Sequence, residues 1–310
     1  MLRSRPLKLI GRLGTGVRWG LRLLLLFMVV DLFYLALTWP DWQRLARGPI
    51  PKSAFIQDYE REQARHGRAA QLRWQPVALA AIPRHVQRAV VLAEDSRFYG
   101  HSGFDLVAFK EAIDYNLNEG RFAVGASTIS QQTVKNLFLS SSKTPLRKWH
   151  ELVLTWGMER HLTKQRIMEL YLNIAEFGPG IYGVHAAAQA YWGTAISNVD
   201  ARQAAELAAT LPSPGKNNPG TRTGHFEKRS ARILRLLLRF PGDAAGSIVD
   251  FREPLELGGA TANDAAADAE DDATPACPDD QCITESDDLL PLAPAPPEPA
   301  VTERVAPRPG

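Results

Sequence analysis

The chain has 310 residues, enough for one large domain or two small ones. Its formal net charge of +2 hides a division between two parts. Residues 241–310 carry 16 acidic and 3 basic side chains, whereas the first 240 residues carry 18 acidic and 33 basic ones. The first part is therefore a basic protein suited to anionic surfaces. Both cysteines, Cys277 and Cys282, lie in the acidic part, which excludes cysteine redox chemistry from the first 276 residues.

The N-terminus predicts a membrane anchor. A basic segment, residues 1–22, precedes the apolar run Leu23 to Trp39, whose 17 residues are just long enough to cross a bilayer. The alternative is a cleaved signal peptide, but no small-x-small cleavage site follows. Positive residues before the span favour a cytoplasmic N-terminus. Asp31 lies within the span, where it is either protonated or meets a partner helix; we favour the partner.

Three further regions follow from composition. Residues 40–75 are a charged, proline-bounded juxtamembrane linker with a short helix near residues 57–65. Residues 76–240 show helical periodicity and no strand alternation of useful length, which predicts a mainly α domain. Residues 241–310 are rich in Ala, Pro and Asp and are predicted to be a disordered acidic tail.

The first helix of the domain, AIPRHVQRAVVLAED, delivers Glu94 and Asp95 at its C-terminal end. A carboxylate is disfavoured there by the helix dipole, and the preceding residues Val90 to Ala93 are apolar. We therefore expect a raised pKa, as a general base near neutral pH requires. Asp105 is the predicted N-cap of the next helix.

The stretch GASTISQQTVKNLFL, Gly125 to Leu139, has two interpretations. It is either a polar helix face after an N-cap at Ser127 or Thr128, or a binding surface for a polyhydroxy, negatively charged substrate. Arg147, Lys148 and Glu151 follow in the next helix, where Arg147 and Glu151 also fit a simple i,i+4 surface pair.

Two other patterns are set aside. Ser140 to Lys143 matches S-x-x-K, but no K-T-G or S-x-N partner follows in a folded region. The histidines are scattered without the spacing of metal ligands.

These blocks together carry a resemblance. Glu94-Asp95 with Phe98, His101 and Gly103 is similar to the E-D-x-x-F-x-x-H-x-G motif of the peptidoglycan glycosyltransferases, the lipid II polymerases of the bacterial wall. GASTISQQTVKNLFL resembles their G-x-S-T-I-x-Q-Q-x-x-K-N-L, and the family's R-K-x-x-E, K-x-x-I-x-E-x-Y-L-N and L-P-x-P-x-x-x-N-P motifs follow in order. YWGT stands where the family usually has Y-F-G-K, and the acidic tail lies outside the pattern.

The resemblance implies a lysozyme-like α fold and transfer of a glycan chain from undecaprenyl pyrophosphate to the 4-hydroxyl of lipid II, with inversion. Glu94 would be the general base and Asp95 its support. Lys135, Arg147 and Lys148, with Lys143, would neutralise the pyrophosphate, and Glu151 would orient them or bind Mg²⁺ or Mn²⁺. The remaining residues assigned to sugars and phosphate are Ser127, Thr128, Gln131, Gln132 and Asn136. Those expected to face the bilayer are Phe122, Leu137 and Phe138.

The same resemblance implies an inner-membrane protein with a periplasmic catalytic domain and no required cofactor. Its partners would be lipid II, the lipid-linked glycan, the membrane and, through the anchor, cell-division or wall-synthesis proteins, but no nucleic acid. Two alternatives stay open: a lytic enzyme that cleaves glycan, and a membrane-anchored scaffold without activity. The cations after the Gln-Gln pair argue against the lytic enzyme, which needs no pyrophosphate site.

Overall fold

The computed structural model of the protein describes residues 7–119, 127–140, 142 and 144–240. The helices are α1 (Leu7–Leu37), α2 (Trp42–Arg47), α3 (Ala54–Arg65), α4 (Arg84–Glu94), α5 (Leu106–Glu119), α6 (Ile129–Phe138), α7 (Pro145–His161), α8 (Lys164–Ile174), α9 (Val184–Trp192), α10 (Ala201–Thr210) and α11 (Gly224–Arg239). The strands are β1 (Arg73–Trp74), β2 (Glu176–Gly178) and β3 (Ile181–Tyr182). The prediction of a mainly α fold is confirmed. Gly125, Phe122, Lys143, both cysteines and the tail lie outside the described residues.

Helix α1 contains one stretch, Gly16–Leu37, that is long and apolar enough to cross a membrane. The helix begins within the predicted basic segment and ends two residues before the predicted Trp39. The early end has a local cause, because Pro40 disfavours the α conformation at the residue before it.

The segment after α1 packs against the domain and is not a free linker. Asp41 caps α2, whose Trp42 and Leu45 are buried in the domain core. Ser53 caps α3, and β1 pairs with β3 in parallel. The Trp74 indole N–H donates to the Asn173 carbonyl at 2.9 Å. These contacts fix the chain between α1 and the helical domain.

The core is formed by α4, α6, α8, α10 and α11. Residues Ile167 to Ile174 of α8 are buried except for Glu169. Helix α10 presents buried alanines and packs against both α4 and α11. Small side chains permit a close approach of two helices, so α10 sets the position of α4 and of its last residue, Glu94.

A three-stranded sheet in the order β1-β3-β2 lies beside α9, and β2 runs antiparallel to β3. The strands are only two or three residues long, which explains why no alternating pattern predicts them. Gly180 turns the chain between β2 and β3 with a φ of 73°. A Cβ at this position would lie 2.8 Å from the Gln71 carbonyl oxygen, so the turn requires glycine.

Candidate active site

A cleft opens where the end of α4, the start of α5 and the residues before α6 meet. Glu94, Asp95, Ser127 and Thr128 are among its lining residues. Sequence analysis placed these four residues in one site, and the structure brings them together.

Glu94 is the last residue of α4, and only 10% of its side chain is exposed. Its Oε1 accepts a hydrogen bond from Arg229 Nη2 at 3.0 Å, and its Oε2 accepts one from Gln132 Nε2 at 2.9 Å. Burial raises the pKa of Glu94 above its ordinary value, against the opposing charge of Arg229 and the Gln132 hydrogen bond. The predicted direction is confirmed, and burial is its main cause.

Gln132 holds the Glu94 carboxylate and is itself held by Tyr171. Its Oε1 accepts a hydrogen bond from the Tyr171 hydroxyl at 3.0 Å, which leaves its amide nitrogen to donate to Glu94. Burial raises the pKa of Tyr171 well above its ordinary value, so this hydroxyl stays a neutral donor. The chain Tyr171–Gln132–Glu94 therefore fixes the carboxylate from α6 and α8.

Arg229 is the residue that sequence analysis missed. It lies on α11, 135 residues after Glu94, among four other lysines and arginines of that amphipathic helix. No spacing rule distinguishes it from its neighbours, and only the fold shows that it reaches Glu94.

Asp95 supports the site without a hydrogen bond to Glu94. Its Oδ2 accepts from the Ile129 backbone N–H at 3.0 Å, at the N-terminus of α6. His101 Nδ1 accepts from the Gly103 N–H, which assigns the proton to Nε2, and Nε2 donates to Asp95 Oδ1 at 3.0 Å. Asp95 thus ties the end of α4 to the start of α6, where a carboxylate also complements the helix dipole.

Thr128 and Gln131 are engaged by hydrogen bonds within the fold. Thr128 is the N-cap of α6 and forms a reciprocal capping box with Gln131. The Thr128 hydroxyl also donates to the Gly103 carbonyl at 2.7 Å, and both residues are buried. This geometry fits the capping interpretation, and a role of these two residues in substrate binding stays a prediction.

The apolar end of this stretch also differs from expectation. Leu137 is buried in the core, and Phe138 packs edge-on against Trp42 with ring centroids 5.7 Å apart. Leu137 therefore does not face the bilayer, and Phe138 is half-buried against the core. Exposed apolar side chains occur instead on α5 and α7: Leu106, Val107, Phe109, Ile113, Leu117, Leu146, Trp149 and Trp156.

A cluster of cations surrounds Glu151, which is buried. Arg147 Nη1 donates to Glu151 Oε2 at 2.8 Å, and Lys148 Nζ donates to Glu151 Oε1. Lys148 also donates to the exposed Ser127 hydroxyl at 3.3 Å. The alternative of a plain surface pair fails because Glu151 is enclosed and holds two cations.

Lys135 lies on α6 near both carboxylates. Burial lowers the pKa of Lys135, and the charges of Glu151 and Glu94 oppose that change while Arg147 and Lys148 add to it. Around Glu151, the described residues thus combine three basic side chains (Lys135, Arg147 and Lys148) with one carboxylate. The excess positive charge suits a diphosphate. Asn136, also on α6, is half-buried, and its binding role stays a prediction.

The residues around Glu151 do not fit a divalent cation, because both of its oxygens already bind cationic groups that would repel the ion. A second group with metal-ligand proximity, Asp95, His101 and Asp105, has atoms within 4.8 Å of one another. Asp105 is bonded to Arg97 and to the first N–H groups of α5, so this group is also engaged by the protein.

Comparison with known proteins agrees with this geometry. Residues 61–238 match the family described as Transglycosylase. The chain is 44% identical to the biosynthetic peptidoglycan transglycosylase of Methylobacillus flagellatus over 55% of its length and 74% of the relative's. It is 38% identical to that of Nitrosospira multiformis over 70% of its length and 94% of the relative's. It is 40% identical to that of Nitrosomonas eutropha over 72% of its length and 92% of the relative's. This chain therefore belongs to the transglycosylase family and has its lysozyme-like helical domain.

Proposed function

We propose that this peptidoglycan glycosyltransferase polymerises lipid II with Glu94 as the general base and the Arg147–Lys148–Lys135 cations as the pyrophosphate site. The observation that carries the proposal is their combination in one site: a largely buried carboxylate with a raised pKa, near a cation cluster with excess positive charge. The carboxylate suits deprotonation of a hydroxyl, and the cation cluster suits a diphosphate leaving group.

The reaction exchanges one bond at C1 and moves one proton. The 4-hydroxyl oxygen of lipid II forms a bond to C1 of the growing chain while its proton passes to Glu94. The bond from C1 to the pyrophosphate oxygen breaks on the opposite face, which inverts C1. Arg229 and Gln132 hold one carboxylate oxygen each, so Glu94 keeps a fixed orientation toward the incoming hydroxyl.

The pyrophosphate gains negative charge as it leaves, and side chains supply the compensating charge. Arg147 and Lys148 are preorganised by Glu151, so they need not reorganise during the reaction. Lys135 extends this positive region toward Glu94. The exposed Ser127 hydroxyl lies beside Lys148 and suits a sugar or phosphate oxygen, and Lys143 and Asn136 complete the proposed set.

The site is proposed to face the outer surface of the inner membrane. Helix α1 would anchor the chain with its N-terminus in the cytoplasm, because basic residues precede the span. The exposed apolar side chains of α5 and α7, including Trp149 and Trp156, would contact lipid near the membrane-bound substrate.

The test uses the purified full-length chain and fluorescent lipid II in phospholipid vesicles. We expect long glycan strands on a gel, and their absence would contradict the proposal. Incubation with preformed glycan separates the lytic alternative, which predicts shortened strands. A scaffold without activity predicts neither product.

A further inference from the structure

Among the described residues, Asp31 of helix α1 makes two polar contacts with helix α7 of the catalytic domain. Asp31 Oδ1 is 2.7 Å from His150 Nε2, and Asp31 Oδ2 accepts a hydrogen bond from the Trp149 indole nitrogen at 3.1 Å. The indole nitrogen is a donor only, which fixes the direction of that bond. The sequence left Asp31 with an unassigned partner helix, and α7 of the same chain fills that place.

The buried residues of α1 lie on the helix face that carries Asp31. Among residues 16–37, Asp31 is half-buried and Leu35 is buried, whereas all the others are exposed. These two residues are four apart and therefore share one helix face. Tyr34 stacks on His150 with ring centroids 5.7 Å apart, which closes the contact from one side.

The contact lies inside the apolar span. Asp31 is six residues before the end of α1, which corresponds to about 9 Å along the helix. A carboxylate at that depth requires polar partners, and Trp149 and His150 are those that the described residues provide.

The partners of Asp31 are interleaved with the cation cluster. His150 immediately precedes Glu151, and Trp149 immediately follows Lys148. We propose that Asp31 is a positioning residue: its bonds to Trp149 and His150 clamp α7 onto the anchor and hold Arg147 and Lys148 at the height and rotation that meet the pyrophosphate. This inference rests on the proposed function. It assigns the polar group of the anchor to the chain itself and not to another protein.

The direct test places a photo-crosslinker on the contact. Tyr34→p-benzoylphenylalanine in the full-length chain, reconstituted in phosphatidylglycerol vesicles, leaves Asp31 and His150 intact. We expect an intramolecular adduct within residues 145–161, found by mass spectrometry, and loss of most of it when Asp31→Leu is added. Adducts only with lipid or with a second copy would overturn the inference.

Activity tests the positioning role. Asp31→Leu makes the span more apolar, so membrane insertion is retained, yet we expect polymerisation to fall about 10- to 100-fold because α7 is misplaced. His150→Leu should cost as much, and the double variant no more than either single one. Asp31→Asn keeps an acceptor and should give an intermediate rate. The domain melting temperature should stay unchanged in all of them.

The matched control is the exposed pair Glu62–His66, whose atoms are 2.9 Å apart on α3. Glu62→Leu and His66→Leu should leave the polymerisation rate unchanged. A wild-type rate for Asp31→Leu would overturn the positioning role. A parent chain that forms the α7 adduct but makes no polymer would overturn the proposed function instead, because the adduct does not depend on catalysis.

Discussion

The pairing of Arg229 with Glu94 gives a prediction that separates base tuning from simple folding. Replacing the arginine by methionine keeps the aliphatic length and removes the charge that opposes the raised pKa of Glu94. The Glu94 pKa must then rise further, so the acid limb of the pH–rate profile should move to higher pH.

The magnitude follows from the lost contact. Arg229 Nη2 lies 3.0 Å from Glu94 Oε1, with only 12% and 10% of the two side chains exposed, so solvent screens the pair weakly. A hydrogen bond to a charged group contributes about 1.5–3 kcal/mol. On the acid limb, where the rate follows the ionised fraction of Glu94, this corresponds to a loss of about 10- to 150-fold.

The assay is kcat/KM for fluorescent lipid II across the pH range in which the chain stays folded. The rate of Arg229→Met should recover at high pH, where Glu94 ionises again, and Arg229→Lys should restore most of the wild-type profile. Arg235→Met is the matched control, because Arg235 is exposed on the same helix. A uniform loss at every pH, with no shift of the limb, would refute the tuning of Glu94 by Arg229.

Four further predictions concern other parts of the chain. Glu94→Gln should lower polymerisation about 10²–10⁴-fold while lipid II binding persists. Because the pKa of Glu94 is raised in the folded protein, the wild type loses stability as pH rises through that pKa, and Glu94→Gln does not. The melting temperature of Glu94→Gln minus that of the wild type should therefore increase with pH. A difference that stays constant with pH would contradict the raised pKa of Glu94. Lys135→Ala should reduce the rate at least about tenfold, whereas the exposed Lys228→Ala should not, and equal small effects would remove Lys135 from the site. Deletion of residues 243–310 should leave melting temperature and rate nearly unchanged, and an unfolded truncation would show that the tail packs on the domain. A reporter fused after Arg308 should be active only in the periplasm, and cytoplasmic activity would contradict the proposed orientation.

Local patterns predicted the parts of the site that depend on one helix. Glu94 is recognisable because a helix end and an apolar neighbourhood coincide in sequence, and both features persist in the fold. The pattern of Thr128 and Gln131 was ambiguous, because a capping box and a polar binding surface need the same residue types. The roles of Asp31 and Arg229 come from contacts with residues that lie 118 and 135 positions away in the chain. A single sequence carries no periodic signal for such contacts.

The packing of the juxtamembrane segment was missed for the same reason, because it depends on contacts between distant residues. Helix α2 looks like a charged connection in sequence, yet Trp42 and Leu45 are buried by residues far along the chain. The sheet was missed because two paired residues are too few to alternate.

The buried alanines of α10 should influence the rate of this enzyme, although none of them is among the residues that line the cleft. Because α10 lies against α4, a larger side chain there should displace the helix that ends in Glu94. We therefore expect variants such as Ala205→Val to accumulate in the membrane at normal levels and still polymerise slowly, which immunoblotting beside a gel assay would reveal. A screen that measures only the amount of protein would not detect such variants. A screen for cell-wall growth would detect them, although their substitutions lie far from the cleft.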